Sequence, residues 1–440
     1  MIKTFKKGGI HIAEHKDASA TIVEQPLPMR VCLPLGQHIG VPSKALVAKG
    51  DKVVRGQIVA EAPSFVSASL AAPVSGTVTA LEPIVLPSGK TATGIVITAS
   101  QEEHELDTAA RESYWARINS SAPDPALVSA LTPEEISARI AAAGVVGLGG
   151  ATFPTRVKLS LKPGSKAEVL VVNGCECEPY LMCDDALMRA YPAYIVAGIG
   201  LMMKAAGIPR AVIGIEDNKP EAIAALRGAL AGRSDISVQV LRTKYPQGGE
   251  KQLVEAVTGR RIASGALPLS VGAIVANVAT AFAVWQGVAD EMPLIERIVT
   301  VTGDIPASQR LNYRVAIGTA ISELPFTLPE DAKIVIGGPM MGRAAVCLDA
   351  PVTKGTSGIT LLAGSHRGPV RACIRCGACL DACPMGLEPY LLARYGSLGR
   401  WEDARASDVA DCLECGACSY SCPSNRPLLD FIRLAKQKSR

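Results

Sequence analysis

Eight cysteines near the end of the chain have the spacing of iron–sulfur ligands. They form two copies of one pattern, C-x2-C-x2-C-x3-C-P, at residues 373–384 and 412–423. In two-cluster domains of this kind, the first three thiolates of each copy hold one cubane and the fourth ligates the cubane of the other copy. The pattern therefore predicts two [4Fe-4S] clusters. The first set of ligands is Cys373, Cys376, Cys379 and Cys422, and the second set is Cys412, Cys415, Cys418 and Cys383.

Closely spaced cysteines also occur in zinc sites and in disulfide-rich chains. A structural zinc takes four ligands in two separated pairs, which would leave the third and fourth cysteines of each copy without a role. No apolar core follows the basic start at residues 1–7, so no signal peptide is expected and the 13 cysteines point to metal sites. Two clusters conduct electrons, so the remaining sequence should contain a site where electrons enter.

The composition limits the possible functions. A chain of 440 residues has room for about three or four domains of ordinary size. A net charge of +4 and 4% aromatic residues, with no basic stretch interleaved with aromatics, argue against a nucleic-acid partner. No run of about 18 apolar residues is present, so no membrane span is expected.

Residues 26–100 predict short strands separated by Gly and Pro. The phrases at 47–57 (V-x-x-G-D-x-V-x-x-G-Q) and 72–78 (A-P-x-S-G-x-V) resemble the barrel-sandwich hybrid domains of biotinyl and lipoyl carriers. The intervening loop, 62–69, lacks the lysine that carriers modify, which favours a docking or packing module. The polar stretch 101–130 predicts a linker, and a helix should follow it, capped by Thr132 and ending at Gly144.

Between residues 168 and 258, predicted strands and helices alternate, which indicates a parallel sheet whose ligands lie beyond the carboxyl ends of its strands. Two loops flank the first strand: the glycine-rich residues 146–158, and residues 173–180. Clustered glycines let backbone amides approach a phosphate, and Lys158 would add positive charge. A tight turn into a helix requires the same glycines, so the loop alone does not establish a phosphate site.

Several phrases carry a resemblance to known families. Four of them resemble the flavin site of the NADH-oxidising subunit of respiratory complex I: G-L-G-G-A-T-F-P-T-x-x-K at 147–158, N-x-x-E-x-E-P at 173–179, Y-P-Q-G-G-E-K-Q-L at 245–253 and A-N-V-A-T at 276–280. The whole chain is similar, in order, to the C subunit of the Rnf/Rsx ion-translocating oxidoreductase (electron transport) complexes. That family shares three further phrases, at 5–11, 215–220 and 337–342.

The resemblance implies a noncovalent FMN site. FMN would lie on the loop that contains Gly147, Gly149 and Gly150, with Lys158 near its phosphate. The remaining implied contacts are Asn173, Glu176 and Glu178 along the isoalloxazine and ribityl side, and Tyr245, Gly248 and Asn277 closing the pocket. Glu178 and Glu250 are the candidate catalytic residues. Two positions depart from the complex I pattern: Cys175 replaces an aspartate, and the paired acids of the tyrosine loop are matched only by Glu250.

The resemblance also implies a function. NADH would reduce FMN, and single electrons would pass through two [4Fe-4S] clusters to other subunits or to a ferredoxin-like, cluster-bearing acceptor. The chain would lie peripherally on the cytoplasmic face of the bacterial inner membrane and contact the membrane through partner subunits. The alternative is a soluble flavin and iron–sulfur reductase, such as a corrinoid reductase. In that family the cluster unit precedes the barrel domain, so the order of modules favours the first hypothesis.

The predicted fold is multidomain, combining α/β and α+β units. Its domains are a barrel-sandwich hybrid with a linker (1–118), a Rossmann-like FMN and NADH domain (130–290), a β-grasp domain of the SLBB type (295–363) and a helical dicluster ferredoxin domain (366–440). Gly337–Gly342 is interpreted as a turn, since no helix pattern follows it. Cys175, Cys177 and Cys183 match no cluster spacing and are expected to be packing residues. The chain ends in an amphipathic helix with a basic end, for which a solvated face and a contact with a partner or anionic lipid both stay open.

Overall fold

The computed structural model describes residues 2–162, 164–364 and 368–439. The N-terminal part is built from short strands. They are β1 (Ile22–Glu24), β2 (Arg30–Pro34), β3 (Lys44–Ala45), β4 (Lys52–Val53), β5 (Ile58–Glu61), β6 (Leu70–Ala71), β7 (Gly76–Val85) and β8 (Thr91–Thr98). One sheet has the order β2-β8-β7-β4 and the other β3-β5-β6. Val31 pairs with Ile97 and Leu33 with Ile95, and all four side chains are buried. This is the predicted barrel-sandwich arrangement.

The predicted linker at 101–130 is wrong for most of its length. Residues Gln101–Ser120 form a 20-residue helix, α1, which begins with a capping box between Ser100 and Glu103. Its buried side includes Asp107 and Arg111 besides Trp115. Because charged residues occupy buried positions, the helix has no apolar stripe, and its sequence is polar on every side. Asp107 is satisfied by the backbone amide and hydroxyl of Ser75 in the barrel domain.

The central domain alternates helices and parallel strands. Its elements are α2 (Pro125–Ala130), α3 (Pro133–Ala142), α4 (Thr155–Leu159), β9 (Val169–Asn173), α5 (Cys183–Ala190), α6 (Pro192–Ala206), β10 (Ala211–Glu216), α7 (Pro220–Ala229), β11 (Ile236–Leu241), α8 (Glu250–Thr258), β12 (Ala273–Asn277) and α9 (Val278–Ala289). The sheet order is β11-β10-β9-β12, and every pair is parallel. The predicted parallel sheet is confirmed, and α3 begins after Thr132 as expected.

The largest hydrophobic core includes helices α6 and α9, which pack closely against each other. Gly198 of α6 faces the backbone of Ala281 in α9, where any side chain would collide. Close approach of this kind requires a residue without a Cβ. The pairing fixes the start of α9, and therefore Asn277, relative to the sheet.

The β-grasp domain contains β13 (Glu296–Gly303), β14 (Leu311–Ala316), β15 (Lys333–Ile336), β16 (Arg343–Ala344) and β17 (Gly358–Leu362). Its sheet has the order β1-β14-β13-β17-β15-β16. Strand β1 pairs in parallel with β14, so this N-terminal strand lies in the β-grasp sheet and not in the barrel sheets. Gly337–Gly342 is a turn between β15 and β16, as predicted.

The C-terminal domain is helical between and after the two cysteine motifs. Its helices are α10 (Ala378–Ala382), α11 (Pro389–Ser397), α12 (Trp401–Ala406), α13 (Ala417–Tyr420) and α14 (Leu428–Lys438). Gly396 of α11 lies against the backbone of Phe431 in α14. At the basic end of α14, Lys436 donates to the carbonyl of Cys412 and pairs with Glu414.

Short 3-10 turns connect these elements, at Pro268–Val271, Ala307–Gln309, Ile321–Glu323 and Val409–Asp411. Among the described residues, no single helix is long and apolar enough to cross a membrane. The bent pair α5 and α6 passes that test only when its two parts are taken together across a 97° bend.

Candidate functional site

The predicted flavin residues converge at the carboxyl edge of the parallel sheet. Asn173 is the last residue of β9, and Asn277 ends the neighbouring strand β12. The Asn277 side-chain oxygen caps α9 by accepting from the amides of Ala279 and Thr280. Its amide nitrogen donates to Asp184 at 2.6 Å. Asn173 donates to the carbonyl of Gly248 at 3.0 Å. These two asparagines fix the loops that surround the edge.

The glycine-rich loop lies above Asn277. The amide of Leu148 is fixed by Thr280 at 2.9 Å, and a Cβ on Gly149 would lie 3.1 Å from the Asn277 side chain. Within the part of the chain that the structure describes, the amides of residues 149–151 donate no hydrogen bond, and these residues are exposed. Consecutive free amides form an anion-binding concavity. The loop therefore fits the phosphate of a flavin nucleotide.

Lys158 supplies the positive charge near this loop. It lies on α4, and its ammonium group donates to the carbonyl of Val275 at 2.9 Å and contacts Glu250 at 3.3 Å. Both side chains of this pair are about a third or more exposed, so the pair contributes little to stability. The structure thus places Glu250, a candidate catalytic residue, as the partner of the candidate phosphate-binding lysine.

Glu176 organises the acidic loop after β9. Its carboxylate accepts from the amides of Asp184 and Asp185 at the start of α5, at 2.8 and 3.1 Å. Burial and the neighbouring Glu176 raise the pKa of Asp184 to about 7. Ligand atoms of Glu176, Cys183 and Asp184 lie within 4.8 Å of one another. Because both carboxylates already accept hydrogen bonds from the protein, this cluster is accounted for without a metal.

Glu178 contacts another domain. One of its carboxylate oxygens accepts from the amides of Met340 and Met341 at 2.6 and 2.9 Å. Gly338 in the same turn leaves room for the Glu178 side chain, because a Cβ there would collide with it. Burial raises the pKa of Glu178, although the two amides favour its charged form. The β-grasp turn therefore holds this carboxylate.

Tyr245 joins the flavin loops to the cluster domain. It is 2% exposed, and its hydroxyl donates to the carbonyl of Cys415 at 2.7 Å. Tyr245, Cys415 and Ala417 belong to one hydrophobic cluster, against which Met340 and Cys177 pack. Gly248, in the same loop as Tyr245, donates its amide to the Cys177 thiol at 3.2 Å. The loop that contains Tyr245 thus directly contacts the second set of predicted cluster ligands, at Cys415.

The structure brings the second cysteine set together around one cavity. Cys383, Cys412, Cys415 and Cys418 line it, together with apolar side chains that include Leu387 and Leu429. Burial raises the pKa of Cys415 and Cys418 to about 12, and repulsion from Cys412 and Cys383 adds to this. Four converging thiols in an apolar cavity are a suitable donor set for iron, because a bound cation stabilises the thiolates.

The first cysteine set lies nearer the surface. Cys379 is within electrostatic range of Cys422 and Cys373, which belong to the same predicted set. Cys373 and Cys376 are exposed, as is Ile374 between them. Cys383 thus lies with the first three cysteines of the second motif, and Cys422 lies near Cys373 and Cys379 of the first, while the ligand roles of the eight cysteines stay a prediction.

Three parts of this site were not predicted from the sequence. Lys16 reaches the acidic loop from the N-terminal segment, Asp184 contacts Asn277, and the turn that carries Met340 holds Glu178. The phrases at 5–11 and 337–342 are visible as motifs, but their glycines indicate turns and do not reveal which part of the chain the turns contact. Of the three cysteines expected to be packing residues, Cys175 and Cys183 are buried, whereas Cys177 is half-buried and accepts from the amide of Gly248.

Comparisons with known proteins agree with this arrangement. The family model of the RnfC barrel sandwich hybrid domain matches residues 3–102, that of the Nuo51 FMN-binding domain residues 140–286, and that of the 4Fe-4S dicluster domain residues 369–426. The fold is similar to that of an NAD+-reducing [NiFe]-hydrogenase in the air-oxidized state, with a TM-score of 0.51 and 18% identity over 74% of this chain and 66% of that chain.

Curated relatives align over nearly the whole chain. The C subunit of the Na(+)-translocating ferredoxin:NAD(+) oxidoreductase complex of Acetobacterium woodii is 41% identical over 98% of this chain and 96% of the relative. The C subunit of the proton-translocating complex of Clostridium ljungdahlii is 40% identical over 100% and 95%. The C subunit of the ion-translocating oxidoreductase complex of Rhodobacter capsulatus is 41% identical over 98% and 82%. The chain therefore belongs to the RnfC family, the C subunits of the Rnf ion-translocating oxidoreductase complexes, with an FMN-binding domain and a 4Fe-4S dicluster domain.

Proposed function

We propose that this chain is the subunit through which electrons of NADH enter the complex, and that it passes them singly, through two [4Fe-4S] clusters, to other subunits. The observation that supports this most strongly is the hydrogen bond from Tyr245 to the carbonyl of Cys415. It joins a flavin-pocket loop directly to a ligand of the second cysteine set. Bound FMN would supply the conversion between the two-electron chemistry of nicotinamide and the one-electron chemistry of the clusters.

Different residues of the chain would bind the flavin phosphate and position the surrounding loops. The free amides of residues 149–151 and the Lys158 ammonium would hold the flavin phosphate. Asn173 and Asn277 fix the loops at the carboxyl edge of the sheet that would hold the flavin. Tyr245 lies against the cluster domain, and Glu178 is held by the β-grasp turn whose Met340 packs against the same hydrophobic cluster.

The two cysteine sets lie at different distances from the flavin loops, and this suggests the order in which electrons would pass through the two clusters. Cys415 of the second set lies against Tyr245, whereas Cys373 and Cys376 of the first set are exposed. The second cluster would therefore face the flavin, and the first would face the acceptor. That acceptor would be a cluster-bearing or ferredoxin-like partner in the complex.

The names of two relatives place ferredoxin as the electron donor and NAD+ as the acceptor. The proposed site would serve either direction, because the same residues would hold FMN and the clusters in both. Attachment to the cytoplasmic face of the membrane would come from partner subunits. The soluble-reductase alternative has no observation in its favour, since the relatives align across all modules of the chain in the same order.

The test uses the full chain, purified anaerobically and loaded with iron, sulfide and FMN. We expect about eight irons per chain, and visible bleaching of both flavin and clusters when NADH is added. Lys158→Ala should lose FMN while keeping its iron, and Lys162→Ala, an exposed lysine four residues away, should retain both. A chain that keeps FMN in spite of Lys158→Ala, or whose clusters stay oxidised with NADH, would contradict the proposal.

A further inference from the structure

Residues 3–17, which we call the N-terminal strap, cross three parts of the molecule before the first strand begins. Lys3 bridges to Leu241 at the end of β11, and Ile10 forms an antiparallel bridge with Tyr245. Thr4 donates to Gln247 at 2.7 Å, two residues beyond Tyr245. The function described above assigns no role to this segment.

At the flavin end, Lys16 holds the acidic loop. Its single ammonium group donates to the carbonyls of Glu176 at 2.7 Å, Glu178 at 2.8 Å, and Leu181. These three carbonyls span the turn that places both glutamates. An ammonium group has three donors and no acceptor, so all of its capacity is used here. Burial lowers the pKa of Lys16, while Glu176 acts in the opposite direction.

Neighbouring residues of the strap reinforce this contact. The amide of Tyr180 donates to the carbonyl of Glu14 at 2.9 Å, and the His15 ring stacks on the Tyr180 ring at 4.6 Å. Asn218 donates to the Glu14 carboxylate at 2.6 Å. The acidic loop is therefore fixed from one side by the strap and from the other by α5.

At the cluster end, the strap touches a predicted iron ligand. The amide of Gly9 donates to the carbonyl of Ala382 at 3.0 Å. Gly8 has φ of +63°, and a Cβ at this position would collide with the backbone of Cys383 and Pro384. Only glycine allows so close an approach in this conformation. Cys383 is the cysteine of the first motif that lies within the second set.

We propose that the N-terminal strap sets the separation between the flavin-binding loops and the second cluster, with Lys16 as the positioning residue at the flavin end and Gly8 at the cluster end. Between these two points, Ile10 exchanges backbone hydrogen bonds with Tyr245 at 2.8 and 2.9 Å. One continuous segment thus contacts the acidic loop, the tyrosine loop and the Cys383 loop. This inference rests on the proposed function in taking FMN to bind at the first two loops and a cluster to bind at the second cysteine set.

The flavin end is tested with Lys16→Met, which keeps the length of the side chain and removes its donors. The matched control is Lys6→Met, because the Lys6 side chain is exposed and makes no hydrogen bond or ion pair with any described residue. FMN is titrated into the folded protein and binding is followed by flavin fluorescence. Since three charge-assisted hydrogen bonds are lost, we expect at least about tenfold weaker FMN binding, with the iron content unchanged.

This readout separates positioning from general stabilisation. A lysine that only stabilised the fold would lower the melting temperature and leave the FMN affinity of the folded fraction unchanged. Equal affinity in Lys16→Met and wild type would therefore overturn the inference, whereas failure of wild type itself to bind FMN would overturn the proposed function instead.

The cluster end is tested with Gly8→Ala, and Gly36→Ala is the control because a Cβ at Gly36 meets no atom within 4 Å. We expect Gly8→Ala to lose about four of about eight irons, together with the paramagnetic signal of the cluster held by Cys412, Cys415 and Cys418. If Gly8→Ala does not fold, Lys16→Met decides the question alone. Retention of both clusters in folded Gly8→Ala would show that the strap does not position Cys383.

Discussion

Replacing Tyr245 with phenylalanine should loosen the contact between the flavin loops and the cluster domain. The hydroxyl is buried and donates to the Cys415 carbonyl at 2.7 Å. Phenylalanine keeps the ring and its packing but leaves that carbonyl without its donor. An unsatisfied buried polar group costs about 1–3 kcal/mol, which corresponds to a change of about 5- to 150-fold in an equilibrium constant. Since the bond joins two domains, the loss should appear as local opening at this junction and not as unfolding of the whole chain.

Hydrogen exchange measures this opening directly. The amides of residues 412–418 should exchange about 5- to 150-fold faster in Tyr245→Phe, while those of the sheet strands β9 and β10 keep their protection. Tyr420→Phe is the control, because Tyr420 lies in the same domain, is 54% exposed, and its hydroxyl has no hydrogen-bond partner among the described residues. Unchanged exchange at 412–418 in Tyr245→Phe would refute the idea that this bond holds the junction closed.

Three further outcomes are expected. Burial raises the folded-state pKa of Asp184 from 3.8 to about 7. The protonated carboxyl therefore contributes stability that is fully present below pH 3.8 and is lost as the pH rises to about 7. In denaturant unfolding, the stability of Asp184→Asn should vary less with pH across this window than that of the wild type. Glu296→Gln should destabilise the fold by up to about 3–5 kcal/mol in urea unfolding, because the largely buried Arg55 loses its carboxylate partner and the buried Arg111 is left with Glu24. High-salt washing of membranes that contain the whole complex should leave this subunit bound, since docking to protein partners is screened less than surface charge; release by salt alone would contradict protein docking.

The sequence predicted best what local spacing determines. The alternating strands and the cap at Thr132 depend on residues close in the chain, and the structure contains both; the grouping of Cys383 with Cys412, Cys415 and Cys418 agrees with the repeated motif. The sequence predicted poorly those elements whose side chains are satisfied by residues far away in the chain. The helix Gln101–Ser120 has the composition of a linker because its buried Arg111 is satisfied by Glu296, nearly two hundred positions later in the sequence. No periodicity in a polar segment reveals such a partner.

The same limitation applies to the candidate site. Asn173 and the glycine loop could be predicted because they flank the first strand of the sheet, whereas Asn277 was predicted only from the family resemblance of residues 276–280. Lys16 could not, because a lone lysine in an irregular segment is usually solvated. Its three carbonyl partners lie about 160 positions away and are backbone atoms, which leave no side-chain pattern to read.

The contacts of the cluster domain determine how its electrons would leave. Besides Tyr245, the flavin domain holds it through Gln252, which donates to the carbonyl of Pro384 at 3.4 Å, and through Asp411, which accepts from the amide of Gly265 at 3.3 Å. Contacts at several separated points thus hold the cluster domain against the flavin domain. Under the proposed function, we therefore expect the acceptor to approach the exposed motif around Cys373.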